Sequence, residues 1–144
     1  MTIQSFSEED TYELGRKIGE KAKPGDVFCL DGELGAGKTV FVKGFCDALG
    51  VSADVSSPTF TTMNCYAGGR LEVYHFDVYR ISSYHEMDDS GFDDFFYGKG
   101  VCLIEWAENI AGLLPDTAVR ISFERDYEKG DDYRAIKIST ELKL

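Results

Sequence analysis

The chain reads as an α/β protein, a three-layer sandwich with a mixed central sheet and β-hairpins, and three observations predict that class. Asp26-Val27-Phe28-Cys29-Leu30 has the length and apolar character of a strand buried in a parallel sheet. A glycine-rich stretch follows it, and then Val40, Val42, Phe45, Cys46 and Leu49 recur at near-helical spacing, which makes a strand, loop and helix unit. Farther on, β-like runs come in pairs joined by short polar connections, the pattern of hairpins.

The elements follow in order. Ser7 precedes Glu8, Glu9 and Asp10, a helix N-terminus with Ser7 and Asp10 at capping-pair spacing, and Leu14 and Ile18 are spaced to face a core. This first helix ends near Pro24, where Pro24-Gly25 also punctuates the start of the buried strand. The second helix stops at Gly50. After Ser56-Ser57-Pro58-Thr59 come two β-like runs, Phe60 to Tyr66 and Leu71 to Tyr79, joined as a hairpin through Ala67-Gly68-Gly69-Arg70. In the second run the period of two puts Val73, His75 and Asp77 on one face and Tyr74, Phe76 and Val78 on the other. Val101-Cys102-Leu103-Ile104 is a further buried strand, ending in Glu105-Trp106. Past the Pro115-Asp116 turn, Ala118 to Phe123 and Tyr133 to Ile138 form a second hairpin across the polar stretch Glu124 to Asp132. At 144 residues the chain is long enough for one sizeable core and short for two, so a single domain over 1–144 is expected.

The stretch between the buried strand and the second helix is Gly32-Glu33-Leu34-Gly35-Ala36-Gly37-Lys38-Thr39, or G-x-x-x-x-G-K-T. Each position has a physical task in binding a nucleoside triphosphate. Glycines let the backbone turn so that main-chain N–H groups and the start of the helix face negative charge. Lys38 then reaches the β- and γ-phosphates, and the Thr39 hydroxyl ligates Mg²⁺. The predicted fold is therefore P-loop NTPase-like. Ligands in such sheets bind outside the carboxyl ends of the strands, so an apolar strand ending in Glu105 supplies a metal-directed acid; the alternative is a strand-end acid with a structural partner.

Composition narrows the function classes. The formal charge is −11, from 15 Lys and Arg against 26 Asp and Glu, which opposes docking on a nucleic-acid backbone because that affinity comes from Lys and Arg displacing counterions. Any role with RNA is then indirect. No apolar run approaches bilayer length and the N-terminus lacks a basic region followed by an apolar stretch, so the expected place is the cytoplasm, with no membrane partner. Cys29, Cys46, Cys65 and Cys102 lie far apart among apolar neighbours and read as buried free thiols. The pairs Asp88-Asp89 and Asp93-Asp94 fit no calcium-loop spacing and read as caps or solvated turns.

Four blocks in order carry a specific resemblance: G-E-L-G-A-G-K-T from Gly32 to Thr39, S-P-T-F from Ser57 to Phe60, H-F-D-V-Y-R from His75 to Arg80, and I-E-W from Ile104 to Trp106. Together with Glu8 to Thr11 they span residues from about 8 to 110, and the sequence resembles the TsaE (YjeE) family of small P-loop ATPases that take part in making threonylcarbamoyladenosine in tRNA. The resemblance implies ATP and Mg²⁺ as cofactors, with Gly32, Leu34, Gly35, Ala36, Gly37, Lys38 and Thr39 around the phosphates and Thr39 with Glu105 on the metal. It implies that Asp77 is the catalytic aspartate that orients or activates water, acting with Lys38 on the γ-phosphate. Thr59 would lie in a switch segment near the γ-phosphate, and Thr11 near the nucleoside. Trp106 would pack beside the nucleotide or stabilise the sheet end. It also implies TsaB- and TsaD-type partners, the latter transferring the threonylcarbamoyl group to adenosine beside the anticodon, with tRNA reached only through them. Glu33 stands where the family often has Asp, and Ala107 where Pro is common.

Two other classes fit the loop alone. A small-molecule kinase would need an arginine-rich lid that excludes water, and the six arginines show no such cluster in sequence. A nucleotide-dependent assembly module would act by its ATP-bound shape with little turnover.

Overall fold

The structure, a computed structural model, describes residues 1–33, 35–51, 63–78 and 98–140. Its frame is a seven-stranded mixed sheet in the order β1-β7-β6-β2-β5-β4-β3. In chain order the strands are β1 (Thr2–Ser5), β2 (Val27–Gly32), β3 (Met63–Tyr66), β4 (Val73–Asp77), β5 (Val101–Glu105), β6 (Val119–Arg125) and β7 (Arg134–Ile138), with helices α1 (Glu8–Lys21) and α2 (Lys38–Ala48). The four central strands β6, β2, β5 and β4 are parallel, and the flanking pairs β1 with β7, β7 with β6, and β3 with β4 are antiparallel.

The central strands carry apolar residues toward both faces, as strands covered on both sides must. β2 and β5 are buried along almost their whole length. Phe28, Leu30, Val73, Leu103 and Ile121 face the side packed by α1 and α2, in a core with Leu14, Ile18, Phe41 and Phe45. Cys29, Phe76, Val78, Cys102 and Ile104 face the other side, where Ala107 and Ile110 of a 3-10 segment, Ala107–Leu113, close over them. Helices, sheet and 3-10 segment make the three layers. Each fully buried side chain of this size contributes about 1.5–3 kcal/mol from burial.

Local signals explain the helices. The Ser7 hydroxyl accepts from the Asp10 N–H at 3.1 Å, while the Asp10 carboxylate accepts from the Phe6 N–H at 3.0 Å, so cap and first turn satisfy each other. Arg70 closes the other end of α1 by donating to the carbonyls of Ala22 (3.0 Å) and Gly19 (3.1 Å). The two helices then approach each other through glycine. A Cβ at Gly44 would lie 2.0 Å from the Tyr12 carbonyl oxygen, and one at Gly15 would lie 2.1 Å from that of Phe41. Only a hydrogen atom fits at either point.

Most expected elements are present: both helices, the buried strands, and both hairpins, with Val73 on the helix side and Phe76 and Val78 on the other. Three differences stand out. β1 was not expected; its four residues carry little pattern of their own and are held by non-local pairing with β7. The 3-10 segment was likewise unmarked. Cys65 is a correction, since it is exposed on edge strand β3, whereas Cys29, Cys46 and Cys102 are buried. Of the two β-like runs, Met63–Tyr66 and Val73–Asp77 are strand, whereas 60–62 and 79, like the acidic pairs at 88–89 and 93–94, lie outside the described residues. Among the described residues no helix is long and apolar enough to cross a membrane.

Two predictions follow from the packing. Gly44→Ala should force the helices apart and destabilise the protein by about 1–3 kcal/mol or more, read as a lowered urea midpoint. Burial pushes the thiols of Cys29 to about 11 and of Cys46 and Cys102 to about 12. At neutral pH a thiol-specific reagent should therefore modify Cys65 alone in the native protein and all four cysteines in denaturant.

Candidate functional site

The parallel centre of the sheet fixes the site. β2, β5 and β4 all end at one edge, so Gly32, Glu105 and Asp77 arrive together, with Glu105 in register with Leu30 on one side and with Asp77 on the other. The chain leaves β2 and turns into α2 through Gly35 (φ +78°) and Gly37 (φ +103°), the latter serving as the N-cap of α2 in the left-handed region that glycine alone enters freely. α2 has no side-chain cap and no acidic residue in its first turn. The positive end of its dipole thus faces the site without an internal counter-charge, as anion binding requires.

Lys38 opens α2 and is almost fully buried. Its Nζ donates to the Gly32 carbonyl at 2.8 Å, lies 3.4 Å from Glu105 Oε1, and sits 5.7 Å from the centre of the Trp106 ring. Glu105 is 5% exposed. Its other oxygen, Oε2, is 2.7 Å from His75 Nε2, and His75 is itself 1% exposed. Burial opposes the charge on Glu105, but the hydrogen bond and charge of His75, reinforced by Lys38, outweigh it and hold the carboxyl below its ordinary value.

A cavity of about 230 Å³ opens beside these groups, lined by Thr11, Gly35, Gly37, Lys38, Thr39, Glu105 and Arg134 among others. It brings Thr39 and Glu105 to one space. Mg²⁺ is held by one or two carboxylates together with ligand phosphates and water rather than by a protein cage, so a hydroxyl and a carboxylate beside a loop of this kind suit it. Among the described residues no three His, Cys, Asp or Glu side chains converge as a cage would need.

The other expected residues fall as follows. Asp77 is half-buried one strand over from Glu105, and the described lining of the cavity does not include it. Thr11 borders the cavity, but its hydroxyl is shared with that of Ser5 at 2.7 Å, and its methyl group is the part nearest Gly37. Trp106 takes a left-handed backbone conformation (φ +63°) rare for a bulky residue and is 39% exposed, stacking toward Lys38. Leu34 and Thr59 lie outside the described residues.

The last third of the chain, which carries no diagnostic motif, supplies two residues that sequence patterns did not mark. Arg125 at the end of β6 and Arg134 at the start of β7 are register partners, and both reach the loop. Arg134 donates from Nε to the Ala36 carbonyl at 2.9 Å and from Nη2 to the Gly35 carbonyl at 3.3 Å; Arg125 Nη2 donates to that same Gly35 carbonyl at 2.5 Å. These bonds fix the loop's carbonyls at Gly35 and Ala36. The signal was faint: an arginine at each end of the polar stretch Glu124 to Asp132 means something only once β6 is known to lie parallel beside β2.

A strand, glycine loop and helix at the carboxyl edge of a parallel sheet, with a buried acid on the neighbouring strand, define a P-loop α/β protein. The sequence model of the family described as threonylcarbamoyl adenosine biosynthesis protein TsaE matches residues 5–136, and the chain belongs to that family. It is 45% identical over 133 residues to the tRNA threonylcarbamoyladenosine biosynthesis protein TsaE of Bacillus subtilis strain 168, covering 92% of this chain and 81% of that one. It is also 45% identical over 122 residues to the protein so named in Treponema pallidum strain Nichols, covering 85% and 90%. The crystal structure of Bacillus subtilis YdiB superposes with a TM-score of 0.79 at 40% identity, covering 94% of this chain and 82% of that one.

The arginine contacts make a prediction of their own. Charge-assisted bonds of this kind contribute about 1.5–3 kcal/mol each. Arg134→Ala should therefore speed amide hydrogen exchange at residues 35–37 by about tenfold or more, measured by mass spectrometry, with little change in α1.

Proposed function

We propose that this chain binds and hydrolyses Mg-ATP to support threonylcarbamoyl transfer to the adenosine next to the anticodon of tRNA, in complex with TsaB- and TsaD-type proteins. The observation that carries the reading is the meeting of Lys38 and Glu105 at 3.4 Å beside the uncapped start of α2. Family membership supplies the tRNA context.

Within that reading the loop N–H groups and Lys38 hold the phosphate chain and neutralise charge that builds on it. Thr39 and Glu105 hold Mg²⁺, which when bound polarises the phosphoryl oxygens. Asp77, on the same sheet face as Glu105, orients the attacking water and accepts its proton. Lys38 exchanges its contact with Glu105 for the phosphates, which frees Oε1 for the metal. The net charge of −11 suits a protein that leaves the RNA to its partners and meets them through complementary charge.

Substitutions separate these roles. Lys38→Ala should weaken ATP binding at least tenfold by calorimetry, whereas Asp77→Ala should bind ATP within a few-fold of the parent and lose turnover by about a hundredfold or more when partners and tRNA are present. Full turnover by Asp77→Ala would remove it from the catalytic role. Label from γ-labelled ATP should appear as inorganic phosphate; label on a small-molecule acceptor would instead make the protein a kinase.

A further inference from the structure

His75 belongs to one of the family-like blocks, and the proposed hydrolysis gives it no task of its own. It is a buried imidazole with both ring nitrogens engaged: Nε2 faces Glu105 Oε2 at 2.7 Å, and Nδ1 faces the Tyr66 hydroxyl at 3.4 Å. The Asn64 amide donates in turn to the Tyr66 oxygen at 3.4 Å. Asn64 is the register partner of His75 across β3 and β4, and Tyr66 that of Val73, so Asn64, Tyr66 and His75 share one sheet face. Glu105 shares that face through its neighbours on β5. A line of polar groups therefore runs across three strands and ends on a single carboxylate oxygen.

A buried histidine beside an acid is often only a satisfied core pair. The geometry here asks for more, because the two oxygens of Glu105 are treated differently: Oε2 is held from behind by His75, and Oε1 is turned toward Lys38 and the cavity that Thr39 also lines. If Tyr66 donates to Nδ1, Nε2 carries the proton and donates to Oε2. If the ring is charged, Nε2 donates still. A proton on Nδ1 alone would set two acceptors, Nε2 and the ionised Oε2, face to face at 2.7 Å, so Nε2 donates whether the ring is neutral or charged.

We propose that His75, backed by Tyr66, is a positioning residue that fixes the Glu105 carboxylate with Oε1 presented to a divalent cation, and so sets the metal affinity of the site. This rests on Glu105 being the metal ligand in the function proposed above. Partners that orient a ligating group typically change metal affinity ten- to a hundredfold when removed. His75 is not among the described residues lining the cavity; it acts through Glu105.

The test uses the full chain loaded with a non-hydrolysable ATP analogue and titrated with Mn²⁺, with free Mn²⁺ read by electron paramagnetic resonance. His75→Ala should weaken Mn²⁺ binding ten- to a hundredfold while changing analogue affinity in EDTA less than threefold. His75→Gln, whose Nε2 can donate to the same oxygen, should recover most of the loss. A His75→Ala protein that binds Mn²⁺ as the parent does overturns the positioning role alone. A parent that binds the analogue but no Mn²⁺ overturns the metal assignment and this inference with it. Should His75→Ala fail to fold, Tyr66→Phe decides: a several-fold weaker Mn²⁺ site supports the proposal, and an unchanged one overturns it.

Discussion

A carboxylate buried at the end of an apolar strand is costly unless it is matched, and Glu105 is matched twice, by Lys38 and by His75. Those two contacts tie together the parts that define the site. Lys38 begins α2 and closes the loop onto Gly32; His75 lies on β4 and is anchored to β3 through Tyr66. Removing either partner would leave the largely buried carboxylate with half of its compensation. The site is thus also a structural keystone, and its electrostatics and its fold are set by the same few atoms.

That arrangement depends on strand order, which explains what was and was not readable from the chain. The loop, the flanking strand and helix, the Ser7 cap and both hairpins are written in neighbouring residues, and local pattern suffices for them. His75 and Asp77 could be put on one face of a strand, and Glu105 at the end of another, from spacing alone. That these two strands are neighbours and parallel is a long-range fact with no local trace. The same holds for β6 beside β2, which brings Arg125 and Arg134 to the loop. Edge strand β1 and exposed Cys65 were missed for a related reason: at a sheet edge, burial is decided by what does or does not pack alongside, and an apolar neighbourhood in sequence does not settle it.

The arginines qualify the argument drawn from composition. Six arginines without a sequence cluster weigh against a lid, yet two of them meet at the loop. They are bonded there to the carbonyls of Gly35 and Ala36, although Arg134 also lines the cavity. A lid arginine spends its charge on the phosphates; these spend theirs on fixing backbone dipoles. Fixing those carbonyls rigidifies the loop, and fixed dipoles need less reorganisation than mobile ones.

Asp77 and Glu105 show how one sheet edge can present two acids in different surroundings. They are register partners on adjacent parallel strands, and Lys38 stands on the Glu105 side of the pair. Glu105 is deeply buried, with one oxygen tied back to His75, so its carboxylate is held still. Asp77 is half-buried on the next strand out and keeps partial access to solvent. A single family of parallel strands therefore yields a fixed acid and an accessible one simply because the strand between the loop and the rim carries the first and the next strand out carries the second.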